Sequence, residues 1–289
     1  MLFGEYSIIC GSKALVIPYD KVSGCWEYQA ADNSIPASVK DSQNGLRKLL
    51  HYLVSNESTS NIIDLQSFTR DIESGLYFSS NIPQQYGLGS SGALVAAIYE
   101  RYKWHEEHNL VQLKVNLALI ESAFHGNSSG IDPLCCYLNE AVYIDQNGTP
   151  KTIQLYNTPK LSVFLIDTGI SSSTEPLVSF FREKLLHYSF YKKFSNLYIP
   201  LVNNAIEDFI HQNSSALLKK METINSFQFD AFDKMIPDSM QPFFKPVSSR
   251  PFQLKICGSG GGGYLLGFTD KMEETKLYFD PYKLPLLFL

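Results

Sequence analysis

The sequence predicts a protein of mixed helices and strands in two parts, and three stretches carry that prediction. Residues 83–93, Pro-Gln-Gln-Tyr-Gly-Leu-Gly-Ser-Ser-Gly-Ala, run without a break into the apolar, helix-competent segment Leu94-Val95-Ala96-Ala97-Ile98-Tyr99. Around the turn Gln146-Asn147-Gly148, residues 141–145 and 151–155 alternate as a hairpin does. Near the end, Phe252-Gln253-Leu254-Lys255-Ile256 leads through Cys257-Gly258-Ser259-Gly260-Gly261-Gly262-Gly263 into Tyr264-Leu265-Leu266-Gly267-Phe268, an order of strand, glycine run and strand. A dinucleotide fingerprint needs a helix after its glycines, so that reading is set aside, and the P-loop pattern is absent. The pattern restarts past Asn157-Thr158-Pro159, which places a boundary near residue 157 and divides the chain into 1–157 and 158–289.

Taken in order, residues 1–11 read as a strand, residues 14–18 as a second and residues 26–30 as a third, with a turn over 32–36. Leu46, Leu49, Leu50 and Leu53 recur at helical spacing and predict a helix over 42–54. Polar residues 55–61 read as a loop, and residues 68–72 and 76–80 as two strands around Glu73-Ser74-Gly75. A helix opens at the glycine loop. After the polar break 104–109 comes another, with the apolar stripe Leu113, Leu117, Ile120 and Phe124 and with Glu121 in its last full turn. Gly126 stops that helix, and Asp132-Pro133 reads as the N-cap and first residue of the next. Beyond the hairpin, residues 161–166 form a strand, a helix begins near Leu177, and further helices lie over 194–211 and 215–244. A short helix over 270–278 and a closing strand over 284–289 complete the chain.

Composition excludes several classes. The 289 residues, 44% hydrophobic and 18% charged, match an ordinary globular protein. A formal charge of −5 without a Lys/Arg run argues against a nucleic-acid surface, so any anion must be held by local geometry. No apolar stretch is long enough to span a membrane and no signal pattern opens the chain, which points to the cytosol. Five cysteines contain no C-x-x-C pair and six histidines no H-E-x-x-H, so reduced thiols and no transition metal are expected.

The chemistry therefore concentrates in the glycine loop. Glycines let the backbone approach an anion, a helix N-terminus supplies unpaired amides and a positive dipole end, and Ser90 or Ser91 can cap the helix and offer an oxygen to magnesium.

Three stretches together resemble the GHMP kinases: Gly4-Glu5-Tyr6 with Gly11 and Ala14-Leu15, the loop 83–93, and residues 255–263. Residues 124–132, Phe-His-Gly-Asn-Ser-Ser-Gly-Ile-Asp, are most similar to mevalonate kinases, which carry a glutamate eleven residues before the aspartate, as Glu121 stands before Asp132. The resemblance implies a two-domain α+β fold, like ribosomal protein S5 domain 2 in the N-terminal part and ferredoxin-like in the C-terminal part, with ATP in the cleft between them. It implies a magnesium- and ATP-dependent kinase acting on a small-molecule alcohol, with mevalonate the leading substrate, a cytosolic setting in isoprenoid biosynthesis, and a homodimer as a compatible assembly. Another family kinase, for phosphomevalonate or a sugar, and a non-catalytic ATP- or metabolite-binding relative are the alternatives.

Carried over by position, Asp132 is the catalytic base and Ser91 and Glu121 are the magnesium ligands. Gly87, Leu88, Gly89, Ser90, Ser91 and Gly92 wrap the phosphates, joined by Gly258, Gly260 and Gly261, while Glu5, His125, Gly126, Ser129 and Thr168 face the substrate. Two departures stand out. The family's Pro-Gly-Lys strand before the first motif has no counterpart ahead of Gly4, which reads as a late start that leaves out a front strand, and Tyr6 stands where histidine is usual.

Overall fold

The structure, a computed structural model, describes residues 1–29, 35–155 and 160–289, and of His125 the backbone alone. The chain divides into two compact units, one of Met1–Ile17, Gln84–Leu88 and Tyr143–Leu289, the other of Pro18–Pro83 and Gly89–Val142. The expected boundary near residue 157 and most of the expected turn over 32–36 lie outside the described residues.

In the first unit a four-stranded antiparallel sheet runs in the order Gln253–Ile256, Tyr264–Thr269, Ser162–Asp167, Leu286–Phe288. The first and third strands in the chain lie in the middle, which is the ferredoxin-like order expected for this part. Leu165 pairs with Leu266 and Ile166 with Leu265, and all four side chains are buried. Helices Thr174–Leu185, Tyr188–Lys193, Ile199–Ile210 and Ser214–Ala231 join the first two strands in sequence, with a π-helical turn Phe194–Tyr198 between the second and third of them. Their core is aromatic: Tyr198 stacks on Phe227 at 4.4 Å and Phe181 meets Phe194 edge-on at 5.2 Å. A second sheet orders Ala14–Val16, Ala141–Ile144, Pro150–Ile153, so the expected hairpin forms.

The strand expected over residues 1–11 does not form. Phe3 makes a lone bridge to Leu15, and the chain then turns through Gly4 (φ 113°) and Tyr6 (φ 61°) into a 3-10 turn, Ser7–Cys10. Positive φ at those two positions ends extended pairing.

In the second unit the helix Ala37–Ser55 buries Leu46, Leu49 and Leu53 as the spacing predicts, and a two-stranded ribbon pairs Gly24–Tyr28 with Leu76–Ser80. Residues 68–72, expected as a strand, belong to the helix Leu65–Glu73. Asp64 caps it, accepting from the amides of Gln66 and Ser67 at 3.0 Å, and Phe68 and Ile72 bury one face at i, i+4. A single turn, Glu57–Ser60, interrupts the expected loop over 55–61, capped by Asn56. Helices Ser90–Tyr102, Leu110–His125 and Ile131–Leu138 complete this unit. Leu113, Leu117 and Ile120 are buried, but Phe124 is 40% exposed and falls out of the stripe. Asp132 is not the N-cap: that position is Gly130 in a left-handed conformation, and Asp132 stands in the first turn. Among the described residues no helix is long and apolar enough to cross a membrane, and the five cysteines form no disulfide.

Candidate functional site

In the second unit the helix Ser90–Tyr102 starts from Gly89, whose φ of 71° lets the chain turn into the first helical residue without a side-chain cap. Ser90 or Ser91 is the expected cap; Gly89 holds that position, and both serines fall in the first turn. At this turn the amide of Ala93 donates to the carbonyl of Gly89 at 2.9 Å, and the positive end of the helix dipole lies there.

Ser91 and Asp132 both converge on Glu121. Gly92 lets the two helices touch: a Cβ there would lie 2.9 Å from the nitrogen of Pro133 and 3.2 Å from the Cβ of Asp132. A Cβ on Gly89 would sit 3.8 Å from the Cβ of Asp132. Glu121, 5% exposed, accepts a hydrogen bond from the Ser91 hydroxyl at 3.1 Å on Oε1 and a short one from the Ser128 hydroxyl on Oε2. Burial first, and then the charge of Asp132, push the Glu121 carboxyl up to about 7, against the opposing pull of the two serine hydroxyls. The Ser128 oxygen in turn accepts from the amide of Gly130 at 3.0 Å, which ties Glu121 to the turn that delivers Asp132.

The other residues of that turn shape the backbone. Gly126 ends its helix at φ 70° with its amide donating to Ser122 O at 2.8 Å, and Ser129 accepts a long bond, 3.4 Å, from the amide of Ile131. The side chain of His125 lies outside the described residues.

In the first unit the residues of the glycine turn are packed against the chain itself. A Cβ on Gly258 would lie 3.1 Å from the Cα of Gly87, one on Gly260 2.7 Å from Met235 O, one on Gly261 2.5 Å from Ser172 Oγ and one on Gly263 2.4 Å from Tyr86 O. The close approach that successive glycines allow is thus made by protein atoms. Thr168 belongs to the same cluster, donating its hydroxyl to Gly263 O at 2.7 Å. Glu5 is buried, with Lys255 Nζ 2.5 Å from its Oε1. Leu88 follows Gly87 at the end of this unit's loop segment.

Chemically, a buried carboxylate beside a hydroxyl is an oxygen-only donor pair suited to magnesium, which keeps waters and takes phosphate oxygens for the rest of its shell. Among the described residues no group of three or more His, Cys, Asp and Glu is placed to hold a metal ion.

Residues 56–140 match the family model described as GHMP kinases N terminal domain. The chain carries a GHMP kinase N-terminal domain. Solved structures align with its full length at low identity: mevalonate kinase from L. major in complex with R-mevalonate (16% identity, 99% of this chain and 91% of that one, TM-score 0.66), phosphomevalonate kinase from Streptococcus pneumoniae in complex with phosphomevalonate and AMPPNP (13%, 99% and 95%, 0.64), and galactokinase from Lactococcus lactis complexed with galactose (12%, 100% and 89%, 0.58). No curated protein sequence matches. The fold is therefore the α+β fold of GHMP kinases.

Two participants were not read from the sequence. Ser128 lies between two motif residues and only the fold gives its hydroxyl a carboxylate to hold. Lys255 carried a signal: a lone charge between Leu254 and Ile256 in an apolar strand needs a buried partner.

Proposed function

We propose that this chain is an ATP-dependent kinase that transfers a phosphoryl group to the hydroxyl of a small alcohol, with mevalonate as the leading acceptor. The observation that carries the reading is the cluster of Ser91, Glu121 and Asp132 against the N-terminus of the loop-borne helix. The family-model match and the likeness to kinases of mevalonate, phosphomevalonate and galactose support the class of reaction.

In this account the amides at residues 87–92 cradle the phosphates, and the helix dipole favours their charge. Ser91 and Glu121 would hold magnesium, which when bound would neutralise charge on the phosphate oxygens. Asp132 accepts the proton of the acceptor hydroxyl as its oxygen bonds to the γ-phosphorus and the bond to the β,γ-bridging oxygen breaks, so that ADP leaves with that electron pair. The loop amides meet the charge that gathers on the transferring group, and fixing the two reactants together supplies the rest. Ser128 keeps Glu121 turned toward Ser91.

Coupled ADP release with magnesium and ATP against mevalonate, phosphomevalonate, homoserine and galactose tests the proposal. Turnover with mevalonate is the expected result. Turnover with another member of the panel alone replaces the acceptor and keeps the reaction, whereas nucleotide binding without turnover on any of them favours a non-catalytic relative.

A further inference from the structure

The best-buried ion pair of the first unit has no part in the chemistry above. Lys255 and Glu5 are 2% and 6% exposed, and the lysine also donates to Ile256 O at 2.7 Å. Burying two charges costs more than an apolar pair would, so such a pair is weak evidence for stability and better evidence for a fixed arrangement. The next residue repeats the connection. Tyr6, whose positive φ of 61° a tyrosine adopts only under constraint, donates its hydroxyl to Ser259 O at 2.6 Å. Its phenol is held protonated, pushed up by burial and then by Glu5, and its ring packs on Phe181 at 4.8 Å and Phe232 at 5.7 Å.

Two adjacent residues of the first motif thus grip the chain at Lys255 and Ser259, on either side of Cys257 and Gly258. Those two residues bear directly on the phosphate loop: a Cβ on Gly87 would lie 3.1 Å from Cys257 O, and a Cβ on Gly258 the same distance from the Cα of Gly87. At the far end of the turn the amide of Tyr264 donates to Tyr86 O at 3.3 Å, and the two tyrosine rings meet at 5.6 Å.

We propose that Glu5, Tyr6 and Lys255 are positioning residues for the nucleotide: they lock the glycine turn, and the turn holds Gln85, Tyr86 and Gly87 in the shape that receives phosphate. Glu5 then acts through Lys255 on the loop and does not touch the acceptor. The inference rests on the kinase reading and assigns the first motif to the nucleotide side of it.

Tyr6→Phe tests it, because the variant loses the hydroxyl and keeps the ring packing. Titrated with a fluorescent ATP analogue and magnesium, it binds about 3- to 10-fold more weakly than the wild type, the range that one hydrogen bond spans. KM for ATP rises by the same factor while KM for the acceptor holds within about twofold, a split that a loss of stability alone does not produce. Tyr143→Phe, which removes a hydroxyl that donates to Glu207 at 3.4 Å in the same unit, keeps wild-type affinity. Unchanged nucleotide affinity in Tyr6→Phe, or an equal loss in Tyr143→Phe, overturns the proposal. Hydrogen exchange on the wild type gives a second reading that needs no variant: nucleotide must protect the amides of residues 257–261 together with those of 87–92, and protection confined to 87–92 overturns it. A wild type that binds no nucleotide overturns the kinase reading itself, and is told apart because the control fails with it.

Discussion

Glycine is used in opposite ways at Gly89 and in the run 260–263. A Cβ on Gly89 would meet Asp132 at 3.8 Å, an ordinary van der Waals contact, so the left-handed φ is what requires glycine there. Across the run, Cβ atoms on Gly260, Gly262 and Gly263 would lie 2.7, 2.4 and 2.4 Å from the carbonyl oxygens of Met235, Ile170 and Tyr86. There the space itself is occupied. A glycine-rich stretch therefore marks a close approach without saying whether the visitor is a ligand or the chain's own backbone.

Substitution separates the two uses. Gly263→Ala combines a left-handed φ of 63° with a main-chain clash and is expected to cost about 3–4 kcal/mol, read as a lowered urea midpoint; a near-wild-type midpoint would mean the turn is not close-packed. Next in size is the pH response of Glu121. Its folded pKa is raised from 4.5 to about 7, so the folded state holds the proton more tightly, and that contribution is complete below 4.5 and lost as pH climbs through 7. The metal-free wild type should lose about 2–3 kcal/mol relative to Glu121→Gln across that window, and parallel stability curves for the two would contradict the burial of the charge. Ser128→Ala leaves one buried carboxylate oxygen without its donor and should cost about 2 kcal/mol, with Ser128→Thr recovering most of it. Gly89→Ala, which adds only backbone strain, should cost about 1 kcal/mol while impairing nucleotide binding; a cost as large as that of Gly263→Ala would erase the contrast between the two regions.

How much of this was legible follows from where each residue's constraint arises. The loop, the helix it opens and the strand, glycine run and strand near the end are set by local chemistry, and all three appear where the residues place them. Residues 68–72 misled because Phe, Thr and Ile favour strands in isolation, although Asp64 and the i, i+4 pair Phe68 and Ile72 carried the helical signal. At residues 1–11 the apolar run concealed three positive-φ positions, Gly4, Tyr6 and Gly11, and a tyrosine in that conformation has no local signature. Asp132-Pro133 imitated a cap because the true cap, Gly130, has no side chain to signal it. The carboxylate pair was readable from its eleven-residue spacing through family resemblance. Its serine clamp was not, since Ser91 meets Glu121 only once two helices have packed, and Ser128 only once the turn after the second has closed.

The most direct measurement compares phosphoryl transfer and nucleotide affinity in the wild type and Asp132→Asn, the latter keeping size and losing the charge that receives a proton. The account predicts a fall in turnover of about 10²–10⁴-fold, with the affinity for magnesium and ATP held within about twofold. Full turnover in Asp132→Asn would contradict it.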